Sequence, residues 1–228
     1  MGRYTGPKLR VIRRLGLLPG FTAKLVQQRV KTPGQHGKVA LIKTNRYSLK
    51  DDYKECLLEK QKLRFNYGIT EKQLIGYCKL AKKNKEAVGT RLLELLETRL
   101  DCIVYRLGFS PTIPSARQVV SHGHILVNFK PVNIPSFSCQ KGDKISVAEK
   151  LVSKELITKA LLRQKEKRDI IERRLEKFQR SNYRPATELP SHLEMHVPSC
   201  TGKVVKMIRR KDVLIGINDV KVLEFFSR

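Results

Sequence analysis

Residues 116–128 read Ala116-Arg117-Gln118-Val119-Val120-Ser121-His122-Gly123-His124-Ile125-Leu126-Val127-Asn128, and this stretch decides the fold class. Pro114 fits the first turn of a short helix over 115–121, Gly123 stops it, and residues 124–129 then read as a β-strand. Upstream, between Gly89 and Gly108, the apolar residues Leu92, Leu96, Leu100, Ile103 and Leu107 fall on one helix face, so one continuous helix is expected there. Gly108-Phe109-Ser110-Pro111 makes the turn between the two helices. Downstream, 132–134 and 144–147 supply further short strands, with Lys141-Gly142-Asp143 as the turn before the last. The pattern is helix, turn, helix, then a small antiparallel sheet.

Working outward toward the N-terminus, Thr70 with Gln73 forms a capping box, and Ser48 with Asp51 resembles one. Helices are expected over 49–66 and 71–85, with Gly68 between them, and the first presents Lys60, Lys62 and Arg64. Tyr67 and Tyr77 read as core residues sooner than as platforms for bases. The first 50 residues hold twelve basic side chains and no acid. Gly16, Pro19-Gly20 and 33–37 break this arm into pieces too short for a core of their own, so ordering on a partner is expected. Interleaved Tyr4, Leu15, Leu17, Leu18, Phe21 and Tyr47 suit an arm that packs partly on protein and partly on phosphate.

Beyond the sheet, 150–184 reads as one long basic helix with an incomplete stripe of Leu156, Ala160, Ile170, Ile171, Leu175 and Phe178. Asp169 with Arg173 and Glu176 with Arg180 are supportive i,i+4 pairs on it, and Arg184-Pro185 ends it. A hairpin over 193–197 and 203–208 and an apolar C-terminal segment follow. The expected organisation is α+β: a basic extended arm (1–46), a helical domain (47–90), a helix-turn-helix module with a small antiparallel sheet (91–150), a long-helix insertion (151–190), and a hairpin with a C-terminal segment packing back on the core (191–228).

With 47 Lys and Arg against 21 Asp and Glu, the 228-residue chain carries a net charge of +26. An excess of that size calls for a polyanionic partner and excludes an ordinary metabolic enzyme. Cys56, Cys78, Cys102, Cys139 and Cys200 are too scattered for a zinc knuckle and read as buried thiols of a reducing compartment. His122 and His124 lack a third ligand, so they read as RNA-facing or structural imidazoles. No stretch is long and apolar enough to span a membrane.

The stretch 116–128, with Arg99-Leu100-Asp101 and Gly108-Phe109, resembles the helix-turn-helix RNA-binding module of ribosomal small-subunit protein four, which some unrelated enzymes also carry. Gly2-Arg3-Tyr4 with Gly6-Pro7-Lys8, Pro33-Gly34-Gln35-His36-Gly37, 59–64 with Tyr67-Gly68, and the ending 222–228 resemble that ribosomal family over most of the chain. Residues 12–20 and Pro111-Thr112-Ile113-Pro114 resemble its plastid branch. The resemblance implies a structural constituent that is a primary binder of small-subunit ribosomal RNA. It also implies nucleation of subunit-body assembly, a part in translational accuracy beside small-subunit ribosomal protein five, and a place near where messenger RNA enters, in the stroma of a plastid. Many bacterial relatives bind a metal through N-terminal cysteines; no cysteine precedes Cys56, so neither metal nor cofactor is expected. The family's hairpin carries Asn-Gly where this chain has Asn128-Phe129, which removes the easy positive-φ residue.

The expected RNA-contacting residues are Arg3, Tyr4, Lys8, Arg10, Arg13, Arg14, Lys24, Arg29, Lys31, Gln35, His36, Lys38 and Arg46 in the arm. Lys60, Lys62 and Arg64 join them from the first long helix, and Arg117, Gln118, Ser121, His122 and His124 from the module edge. Two rival readings are an RNA-modifying enzyme of the pseudouridine-synthase kind and an RNA binder outside the ribosome. The first would use Arg99-Leu100-Asp101 catalytically, but that triplet lies inside an apolar helical stripe where Asp101 suits pairing with a basic residue. The chain holds no other catalytic signature.

Overall fold

The computed structural model describes residues 4–23, 52–83, 87–178, 189–196, 198–213 and 216–227; within 167–178 the only side chain described is that of Asp169. Two compact units form, Met1–Leu92 with Ile215–Arg228, and Leu93–Leu214. This grouping departs from the five expected segments. The hairpin after residue 190 completes the sheet of the second unit, whereas the last helix buries its apolar face in the first.

In the first unit, α1 (Lys8–Leu15) lies in the arm, followed by α2 (Asp52–Tyr67) and α3 (Glu71–Lys82). Residues 4–23 do not wait for a partner to order them. Ile12, Leu15, Leu18 and Phe21 are buried in one cluster with Val11 and with Leu58 and Phe65 of α2. The Gly20 N–H donates to the buried Asn66 side chain at 3.1 Å. Thr70 caps α3 with the reciprocal Gln73 box, as read, and Tyr67 is fully buried, a core residue. The other expected box, Ser48 with Asp51, lies outside the described residues. The last helix, α8 (Asp219–Phe225), is capped by Asn218, whose backbone N–H donates to Glu59 of α2 at 3.0 Å.

The stretch expected as one helix is two, α4 (Val88–Glu97) and α5 (Leu100–Arg106). Arg99 between them is extended, at φ −67° and ψ 141°. Segment 135–139 takes over its hydrogen bonding: Leu100 N–H donates to Phe137 O at 2.8 Å, Asp101 N–H to Pro135 O at 3.1 Å, and Cys139 N–H to Thr98 O at 2.9 Å. The apolar stripe gives no sign of the break, because all five of its residues are buried on either side of it. The next helix, α6 (Ile113–Ser121), starts two residues earlier than read, with Thr112 accepting the Ser115 N–H at 3.3 Å.

The five-stranded antiparallel sheet has the order β2-β1-β3-β5-β4, with β1 Ile125–Val127, β2 Lys130–Pro131, β3 Lys144–Val147, β4 Leu193–His196 and β5 Thr201–Val204. Strand β3 falls where it was read. The expected strand 124–129 is shorter, and that at 132–134 sits instead at Lys130–Pro131, because Val127 pairs with Lys130 and leaves only Asn128 and Phe129 to turn. The second hairpin strand lies at Thr201–Val204 and not at 203–208. A side chain at Gly202 would meet the Leu107 side chain, just past α5, at 2.4 Å, so a substitution there would force a shift. The long helix, α7 (Leu151–Phe178), is present, but Ser153, Ile157 and Leu161 face the module while Leu156 is exposed. Of its expected features, the side chains of 170–178 and both i,i+4 pairs lie outside the described set.

Candidate nucleic-acid interface

In α6, Ala116, Val119 and Val120 are buried in the module core, so helical geometry turns Gln118, Ser121 and His122 outward, and all three are exposed. Gly123, at φ 72°, ends the helix and redirects the chain into β1. The exposed edge is therefore a row of hydrogen-bonding groups.

Arg117, read as an outward donor, is drawn inward. Its Nε lies 2.8 Å from Oδ2 of Asp101, a carboxylate with no exposed surface, and its side chain keeps only 19% exposure. Arg99 grips the same carboxylate through both oxygens, at 3.0 and 2.8 Å. Asp101 thus pairs with bases, as read, and with two of them. A buried carboxylate clamped by two guanidiniums offers nothing to a substrate, which closes the reading of Arg99-Leu100-Asp101 as catalytic. Beside it, Arg106 pairs with buried Glu97 at 2.6 and 3.1 Å. Sequence reasoning missed this second pair; the spacing of nine residues across a helix break carries no local signal.

His122 and His124 have ring centroids 6.0 Å apart. They face different things: His122 is exposed, whereas His124 Nδ1 lies 2.8 Å from the Oγ of fully buried Ser153 on α7. His124 is thus the structural imidazole of the pair.

The first unit presents a different surface. On α1, Arg10 and Arg14 are exposed and i,i+4 related, opposite the buried Ile12 and Leu15, and Arg13 is half-buried. Arg13 and Arg14 lie in the last turn, where cations complement the helix dipole. Lys8 stands 5.6 Å from the Phe21 ring centroid, and Tyr4 packs edge-on against Phe65 at 5.2 Å.

Lys60 does not belong to this surface. It is buried, with Nζ 2.6 Å from Glu71 and 4.0 Å from the Phe225 ring centroid, and its hydrogen bond holds the Glu71 carboxyl below the usual range. Lys62 pairs with Glu59 at 2.6 Å, and Arg64 lies against Phe65 at 5.4 Å. Arg3, Lys24, Arg29, Lys31, Gln35, His36, Lys38 and Arg46 lie outside the described residues.

The reading also missed a cationic row on the outer face of the sheet. Strand alternation buries Ile145 and Val147 and turns Lys144 outward, directly across from exposed Lys203. Four of the five cysteines are buried, and burial pushes the Cys78 thiol up to about 11 and Cys139 to about 12, so these thiols stay protonated. Among the described residues no helix is long and apolar enough to cross a membrane.

Residues 98–145 match the S4 domain, and residues 3–97 match the Ribosomal protein S4/S9 N-terminal domain. Across all of both chains, the sequence is 46% identical over 228 residues to small ribosomal subunit protein uS4c of Oltmannsiellopsis viridis and 45% identical to that of Cyanophora paradoxa. It is 43% identical to small ribosomal subunit protein uS4 of Crocosphaera subtropica, covering 100% of this chain and 99% of the relative.

Proposed function

The chain belongs to the uS4 family of small-subunit ribosomal proteins, and from that premise we propose that it binds a junction of small-subunit ribosomal RNA with two unlike surfaces, one from each unit. It is a structural constituent of the small ribosomal subunit and not an enzyme. The observation that carries the two-surface reading is the α6 edge: exposed Gln118, Ser121 and His122 supply hydrogen-bonding groups beside a guanidinium that a buried carboxylate fixes in direction. A-form RNA hides its major groove, so such an edge recognises sugar and phosphate in the wide minor groove or at a junction. Arg10 and Arg14 on α1 add phosphate contacts from the first unit, and the remaining arm residues from Arg3 to Arg46 extend that contact along the backbone.

A primary binder of this kind nucleates the subunit body, because it holds RNA helices together before other proteins arrive. We assign it a place beside small-subunit ribosomal protein five and near where messenger RNA enters, with an effect on translational accuracy. Its plastid-type and cyanobacterial relatives support a plastid ribosome, in the stroma.

Titrating the full chain against small-subunit ribosomal RNA at increasing salt tests the reading. With at least six phosphates neutralised, log K against log salt falls with a slope of about −4 or steeper. A slope shallower than about −2 rejects it.

A further inference from the structure

The two-residue turn between β1 and β2 places both Asn128 and Phe129 at positive φ, 49° and 65°. This is the backbone of a type I′ hairpin, in which the second position is taken most cheaply by glycine. Asn128 tolerates the left-handed region and is pinned there. Its side chain donates to Asp143 at 2.9 Å and accepts the Lys144 N–H at 2.9 Å. Phe129 has no such compensation in the fold: its side chain is 79% exposed. A bulky side chain held in a strained conformation and turned toward solvent contributes nothing to packing, so its use lies outside the chain.

The surroundings say what that use is. Asn128 ties the turn to exposed Lys144, whose cross-strand partner is exposed Lys203. Two like charges directly opposite one another on a sheet are unfavourable unless an anion lies over them. The acids of the region are Asp143, occupied by Asn128 and by the Gln140 N–H at 2.7 Å, and Glu194, across from Lys203 on its far side. An aromatic face rising from a cationic floor matches a nucleotide, whose base stacks on the ring while its phosphates lie over the lysines.

We propose that Phe129 is a base-stacking residue: the tip of the β1–β2 hairpin takes an unpaired nucleotide of the bound RNA, with Lys144 and Lys203 beneath its backbone. The proposal rests on the ribosomal RNA reading above and adds a second contact on the module, apart from the α6 edge. An apolar pocket of a neighbouring protein would accept the ring but would offer no anion to Lys144, since Glu194 lies across from Lys203 alone.

Two variants of the full chain test it. Phe129→Gly relieves the strained φ and so keeps or raises the melting temperature, while affinity for a small-subunit ribosomal RNA transcript falls about 5- to 100-fold with the salt slope unchanged. Affinity for a plain RNA duplex of similar length stays at the wild-type value. Phe129→Trp retains tight binding, and because the chain contains no tryptophan, quenching of the introduced indole on addition of the transcript, and not of the duplex, reports stacking directly. Wild-type protein that fails to bind the transcript overturns the ribosomal RNA reading itself. Wild-type binding with Phe129→Gly equally tight and the indole unquenched overturns the stacking proposal alone. If Phe129→Gly binds RNA normally but reconstituted particles lose a neighbouring protein, the ring is a protein anchor and the proposal is likewise overturned.

Discussion

Residues 4–23 and the edge 116–124 both hold residues expected to contact RNA, yet the two handle charge in opposite ways. On α1 an apolar underside of Ile12 and Leu15 does the anchoring, and the arginines on the other face are left to solvent. On α6 the arginine does the anchoring, through Asp101, and Gln118 and Ser121 are left to solvent. A count of Lys and Arg therefore measures the attraction to a polyanion but not which cations are on offer. Arg99, Arg106 and Arg117 serve buried carboxylates, and Lys60 is itself buried against Glu71.

The sharpest way to break this contrast is Asp101→Ala. It removes the carboxylate shared by Arg117 and by Arg99, whose side chain is 1% exposed; removing one partner of a buried ion pair costs about 3–5 kcal/mol. Amide exchange across Leu93–Leu214 should accelerate while α1 to α3 keep their protection. Equal protection in both units would mean that the clamp is not what holds the module. Arg117→Ala should give a smaller loss of the same kind, which distinguishes it from a surface residue.

The contrast also explains what was legible in the sequence. Gly123 followed by Ile125-Leu126-Val127 located the junction of α6 and β1, because a helix stop and a strand run are both local signals. The Thr70 box was legible for the same reason. The break at Arg99 was not, since its cause is the pairing of Thr98 with Cys139 and of Leu100 with Phe137, some 40 residues away in sequence. Lys60 looked like an outward cation because nothing near it in sequence announces Glu71 and Phe225 as its partners. Outward Lys144 could have been found from its alternation with Ile145 and Val147.

For the arm, the matching test is Leu15→Ala. Leu15 is 7% exposed, and a buried Leu→Ala change costs about 2–5 kcal/mol. Loss of protection should appear in α1 and in α2 around Leu58 and Phe65. No loss would return residues 4–23 to the status of a tail ordered only by its partner.

Acid should separate the units more gently. His192, just before β4, is 1% exposed, and neither ring nitrogen has a hydrogen-bond partner. Glu97 from α4, Arg106 from α5 and Asp212 after β5 act on it, and burial pushes its pKa below the ordinary 6.5. The folded state therefore holds the ring neutral while the unfolded chain takes up a proton as the pH falls through 6.5. The contribution is complete above that value and declines below it toward the lowered folded pKa. Melts between about pH 8 and 5 should show the fall in wild type and a shallower one in His192→Phe. Parallel curves would assign the acid sensitivity to other groups.

The smallest expected effect on the fold comes from Arg10→Ala with Arg14→Ala. Both side chains are exposed on the face of α1 away from Ile12 and Leu15. Each change should move stability by less than about 0.5 kcal/mol; Arg14 also gives up its place at the C-terminal end of the helix dipole, so its share is the larger. Binding should respond differently. Two phosphate contacts fewer reduce the salt slope by about 1.4 to 1.8, at roughly 0.7 to 0.9 per contact. The same measurement on Gln118→Ala with Ser121→Ala should lower affinity at every salt concentration and leave the slope alone, because neutral donors release no counterions. Slopes that shift together in both pairs would mean that the two surfaces meet RNA in the same way, and the contrast drawn between α1 and α6 would fail.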